Sequence, residues 1–97
     1  MMKIKIKPFM SIKKIMGDNH EVDIELENDS LRNLLEILFL TYGEELKNLI
    51  FDNKTKEIKK FYHLMVNGQS YLNLPGRLDA KLKEGDVIVL FPPVGGG

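Results

Sequence analysis

Ninety-seven residues bound the chain to a single domain, since domains cluster around 100–150 residues and a second core has no room. A hydrophobic share of 43% is too high for a disordered chain, and a charged share of 29% is ordinary for a globular one. Lys+Arg and Asp+Glu both number 14, so no net charge draws the chain toward nucleic acid or an anionic membrane.

Cysteine is absent, which excludes disulfides, thiolate zinc sites, cysteine-ligated iron–sulfur clusters and thiol nucleophiles. No apolar run approaches the roughly 20 residues that span a bilayer. The start, MMKIKIKPF, alternates where a secretory signal carries a continuous apolar segment. No export is expected, and a cytoplasmic location is.

Lys3 to Lys7 alternates with period two, as a strand with one buried face should, and Val22 to Glu27 alternates again. Gly17-Asp18-Asn19 supplies turn residues between them. Antiparallel pairing sets Lys3, Lys5 and Lys7 against Asp23, Glu25 and Glu27 across the ladder. These charges read as a solvated face that fixes pairing.

Ser30 stands at a helix N-cap position, and Leu31, Leu34, Leu35, Leu38 and Tyr42 recur at helical spacing, with Ile37, Phe39 and Leu40 widening the stripe. Gly43 is the stop. Residues 44 to 51 suit a further short turn with Leu46, Leu49 and Ile50 on one side. The stretch 52–60, DNKTKEIKK, is polar and basic and reads as an exposed, solubilising loop.

A strand resumes over Tyr62 to Val66, and Asn67-Gly68 is a strong hairpin signal leading into Gln69 to Leu72. Leu74-Pro75-Gly76 breaks the chain, and Glu84-Gly85-Asp86 makes a tight turn. Val87 to Phe91 is apolar on both faces, as a central strand covered on each side would be. The order strand, strand, helix, strand, short strand, strand predicts an α+β chain, a mixed sheet wrapped over one main helix with the first and last strands as central neighbours. That is the β-grasp, or ubiquitin-like, fold. It occupies residues 1–94, and residues 95–97 form a flexible reactive tail.

The body offers no ordinary active site. His20 and His63 lack ligand-spaced companions, the acidic run from Asp18 to Asp29 lacks the calcium-loop spacing, and no P-loop, nucleophile elbow or catalytic carboxylate pair is present. No bound metal or cofactor is expected.

The sequence closes on Val89-Leu90-Phe91-Pro92-Pro93-Val94-Gly95-Gly96-Gly97. Pro92 and Pro93 end the strand and send the chain away stiffly. Val94 gives one apolar contact, and three glycines without side chains suit a narrow channel. Extended, Phe91 to Gly97 reaches roughly 20 Å at about 3.3–3.6 Å per residue. A carboxylate with a pKa near 3.5 is an anion at neutral pH and a poor electrophile. Activation by ATP as an acyl-adenylate supplies a leaving group, after which sulfur yields a thiocarboxylate and an amine yields an amide.

Leu90-Phe91-Pro92-Pro93-Val94 with terminal glycines resembles the C-terminal motif of the MoaD family, the small subunits of molybdopterin synthase. Val66-Asn67-Gly68, Leu82-Lys83-Glu84-Gly85-Asp86 and the helix from Ser30 to Gly43 are similar to its internal pattern. The resemblance implies that Gly97 is adenylated by a MoeB-like enzyme that uses ATP and is converted to a thiocarboxylate. A MoaE-like large subunit then takes that sulfur for the dithiolene of molybdopterin. By position Phe91, Pro92, Pro93 and Val94 dock on the partners, and Gly95 and Gly96 thread their active sites. Three alternatives stay open: a ThiS-like carrier for thiamine synthesis, a ubiquitin-like modifier joined to lysines, and a plain β-grasp interaction module with an inert tail.

Overall fold

The computed structural model describes residues 1–27 and 29–93. Tail positions 94 to 97 lie outside the described residues. The elements are β1 (Met2–Pro8), α1 (Met10–Ile15), β2 (Val22–Leu26), α2 (Leu31–Tyr42), α3 (Glu44–Ile50), β3 (Phe51–Asp52), β4 (Glu57–Ile58), β5 (His63–Val66), β6 (Gln69–Ser70) and β7 (Val87–Phe91). Two 3₁₀ turns, Tyr71–Asn73 and Arg77–Asp79, fill the stretch before β7.

The main sheet has five strands in the order β2-β1-β7-β5-β6. β1 runs parallel to β7 and every other neighbouring pair is antiparallel, so the sheet is mixed and its first and last strands sit centrally. This is the β-grasp arrangement, with α2 across one face. Ile4 and Ile6 of β1, Ile88 and Leu90 of β7 and Leu64 of β5 meet Leu31, Leu34, Leu35 and Leu38 of α2 in one buried cluster. Each such side chain contributes about 1.5–3 kcal/mol by leaving water.

The α2 helix forms for the local reasons visible in its sequence. The Ser30 hydroxyl accepts a 3.3 Å hydrogen bond from the Asn33 amide, and Gly43 takes φ 89° at the exit. Asp29 adds a second anchor, its carboxylate accepting from the Ser30 amide at 2.9 Å and from the Asn33 side chain. Asn67 and Gly68 both take positive φ, 52° and 85°, as the two-residue turn between β5 and β6 requires.

Four expectations need correction. The α1 helix intervenes between β1 and β2, where only a turn was expected, and it buries Ile12 and packs Met16 beneath it. The β1–β2 register opposes Lys3 to Glu25 and Lys5 to Asp23, so the partner of Lys7 is Glu21, at 3.8 Å, which lies outside the acidic run of β2, and Glu27 falls beyond the ladder. Leu40 is 85% exposed and so lies off the apolar stripe of α2. Residues 52–60 are not simply a loop: β3 and β4 pair there, with Ile58 buried. The antiparallel turn forms because Asp52 Oδ1 accepts from the amides of Lys54 at 2.8 Å and Thr55 at 3.3 Å.

Candidate functional site at the root of the tail

The last strand leads the chain to the edge of an apolar surface. Along β7, Ile88 and Leu90 point into the core, while Val87, Val89 and Phe91 are half-exposed on the opposite face. Both faces are apolar, as expected, but only one is covered.

Phe91 is the centre of this open face. Its ring stacks on His63 of β5 with centroids 4.6 Å apart and planes 21° from parallel. Phe9 meets it edge-on, at 6.3 Å and 87°. The two strands bring His63 opposite Phe91 in register, and the Phe9 amide donates a 2.9 Å hydrogen bond to the Leu90 carbonyl, which fixes the third ring. Phe9 is 46% exposed and Met10 61% exposed. With Val89 and Phe91 they line an apolar depression of 340 Å³. The lining is wholly apolar, a surface suited to an apolar side chain of a partner.

Just beyond Phe91 the chain turns out of the sheet. Pro92 is buried and Pro93 is exposed, so the first proline anchors the exit and the second points to solvent. Of the residues expected to engage partners, the structure thus places Phe91, Pro92 and Pro93 at the lip of the apolar face. Val94, Gly95, Gly96 and Gly97 fall outside the described residues.

A polar clamp holds the other end of β7. The Asp86 carboxylate is buried and accepts hydrogen bonds from the Asn67 side-chain amide at 2.9 Å and the Lys83 backbone amide at 2.8 Å. Asn67 in turn accepts from the Val87 amide at 2.9 Å and donates its own amide to the Val87 carbonyl at 2.8 Å. The Asp86 carbonyl accepts from Lys5 of β1 at 3.0 Å. The two turn motifs read separately in the sequence are therefore one device that sets the register of β5, β7 and β1.

Sequence reasoning missed Phe9, Met10 and His63 as members of the site. Nothing local marks them; they meet only once β1, β7 and β5 lie side by side. His20, in the turn region, lines a neighbouring depression with Lys7 and Glu21 that also touches Phe9 and Met10. Among the described residues no three His, Asp or Glu side chains converge as a metal site, and no helix is long and apolar enough to cross a membrane.

The ThiS family model matches residues 9–97. No curated protein matches the sequence. Among solved structures the chain is similar to the putative molybdopterin converting factor, subunit 1, of Pyrococcus furiosus, at 30% identity and a TM-score of 0.73 over 97% of this chain and 100% of that one. It is similar to small archaeal modifier protein 1 of Methanosarcina acetivorans at 25% identity and a TM-score of 0.81, over 100% of this chain and 98% of that one. Urm1 of Trypanosoma brucei shares the fold at 17% identity, with a TM-score of 0.79 over 98% of this chain and 95% of that one.

Proposed function

The chain belongs to the ThiS family of ubiquitin-like sulfur carriers and modifiers, and from that premise we propose that it is the sulfur-carrying small subunit of a molybdopterin synthase. The observation that carries this reading is the 30% identity, over nearly the whole of both chains, to the putative molybdopterin converting factor subunit of Pyrococcus furiosus. The Phe91-Pro92-Pro93-Val94 sequence before three glycines supports the same assignment.

In this reading a MoeB-like partner condenses the Gly97 carboxylate with ATP, forming the acyl-adenylate and releasing pyrophosphate. A sulfur donor displaces AMP and leaves a thiocarboxylate. Within a complex with a MoaE-like large subunit, that sulfur passes to a cyclic pyranopterin precursor, and water returns the terminus to the carboxylate. This chain contributes the carrier atom and the docking face; the chemistry belongs to its partners. Phe9, Met10 and Phe91 supply the apolar contact, Pro92 and Pro93 set the direction of exit, and Gly95 and Gly96 clear the partner's channel.

A second reading rests on the likeness to the small archaeal modifier protein of Methanosarcina acetivorans, in which the same adenylate is captured by a lysine amine as an isopeptide. A thiamine-type carrier differs only in its acceptor.

The test is the mass of the C-terminal peptide. Full-length protein is incubated with ATP, the adenylating enzyme and a sulfur donor, then cleaved after Lys83. The released peptide, Glu84 to Gly97, contains no methionine, so oxidation cannot mimic exchange of oxygen for sulfur. The shifted peptide is expected, followed by its reversion when large subunit and pyranopterin are added. An unshifted peptide rejects the carrier reading. A shifted peptide that does not revert with the pterin, while the tail appears on lysines, selects the modifier.

A further inference from the structure

The β3–β4 hairpin and the 3₁₀ turns enclose a cleft of 420 Å³ that shares no residue with the face around Phe91. Its apolar walls are conspicuously uncovered: Phe61 is 71% exposed and Leu72 is 52% exposed, with Ile58 buried between hairpin and core. Lys60 and Arg77 line the same opening. Among the described residues neither has a carboxylate within 4.0 Å.

The carboxylates that do line the cleft are already engaged. Glu57 accepts from the Tyr71 hydroxyl at 3.2 Å and pairs with Arg32 at 3.7 Å. Asp52 is occupied by the amides of its own turn. Among the described residues the cleft thus sets two cations that no carboxylate pairs, Lys60 and Arg77, beside exposed apolar side chains.

We propose that the cleft docks an extended acidic peptide segment of another protein, with one apolar side chain held between Phe61 and Leu72 and flanking carboxylates on Lys60 and Arg77. Charge complementarity selects this occupant. Among the described residues Lys60 and Arg77 are two cations at this opening that no carboxylate pairs, so they call for one or two discrete acidic side chains rather than a long polyanion. The cleft is independent of the tail's chemistry, and its test involves neither ATP nor sulfur.

The experiment selects 12-residue peptides from a random displayed library on immobilised full-length protein. The enriched peptides are then synthesised and mapped by amide chemical shifts on the full chain. The expected winners carry Asp or Glu around a Leu, Phe or Trp, and they shift Lys60, Phe61, Leu72 and Arg77. The charge-reversed variant Lys60→Glu/Arg77→Glu should bind them at least about tenfold more weakly with unchanged thermal unfolding, and salt should weaken the wild-type complex. Failure to enrich any peptide, enrichment of neutral or basic ones, or shifts confined to the Phe9–Phe91 face overturns the proposal. Tighter binding of a 12-nucleotide oligouridylate at these residues also overturns it, in favour of nucleic acid.

Discussion

The Asp86 carboxylate accepts a 2.9 Å hydrogen bond from the Asn67 side chain, joining the hairpin turn after β5 to the tight turn before β7. Because Asp86 is buried, each donor aimed at it depends on it. Asp86→Ala should cost about 2 kcal/mol, the penalty for leaving buried donors unsatisfied. A urea-unfolding cycle with Asn67→Ala should show that the two losses do not add, as expected for residues that share one network. Strict additivity would mean the turns act separately.

The open apolar face should separate binding from stability. Phe9→Asp removes one ring of the cluster at a half-exposed position, so its thermal unfolding should stay close to wild type, whereas its affinity for the adenylating partner should fall about tenfold. Leu40→Asp, on the exposed side of α2, serves as the control and should bind normally. Equal affinities for both variants in a titration would remove this face from the docking surface.

Two leucines two residues apart on α2 should behave very differently. Leu38 is fully buried and Leu40 is 85% exposed. Leu38→Ala should lose about 3 kcal/mol in denaturant unfolding, from the lost transfer energy and the cavity left behind. Leu40→Ala should stay within about 0.5 kcal/mol.

Acid should loosen the start of α2. Hydrogen bonds from the Ser30 amide and then the Asn33 side chain, opposed by partial desolvation, hold Asp29 below the usual carboxylate range. A carboxyl with a depressed folded pKa stabilises the fold above its unfolded value, about 3.9, and that contribution drains away as pH falls through the folded value. Asp29→Asn should therefore be less stable than wild type near pH 6, and the difference should close progressively below about pH 4. A difference that persists unchanged into acid would show that charge at Asp29 is irrelevant to the cap.

How much of this was legible follows from how local each feature is. Ser30 and Gly43 bound α2 through groups within a few residues, and Asn67-Gly68 dictates its turn by backbone preference alone. The α1 helix gave no such sign: Phe9 makes no side-chain cap and the first turn holds no acidic residue. Only the spacing of Ile12, Ile15 and Met16 hinted at it. The β3–β4 hairpin hid behind lysines, since Ile58, which pairs with the buried Phe51, is the one apolar residue of the stretch 52–60. The apolar face was invisible for a different reason, because Phe9 just after β1, His63 of β5 and Phe91 of β7 are brought together by a strand order that is a property of the whole sheet. The tail motif was readable as chemistry, since glycines and prolines act through what they lack.

The parallel pairing of β1 with β7 also orders events in time. A ribosome that has not yet released residue 91 holds a chain without the middle of its sheet, and β1 waits with one side unpaired. The lip from which the tail departs is assembled by the same step that completes the domain. Under the proposed function, an activating enzyme that gripped Phe9 and Phe91 together would engage only chains whose last strand has been added to the sheet.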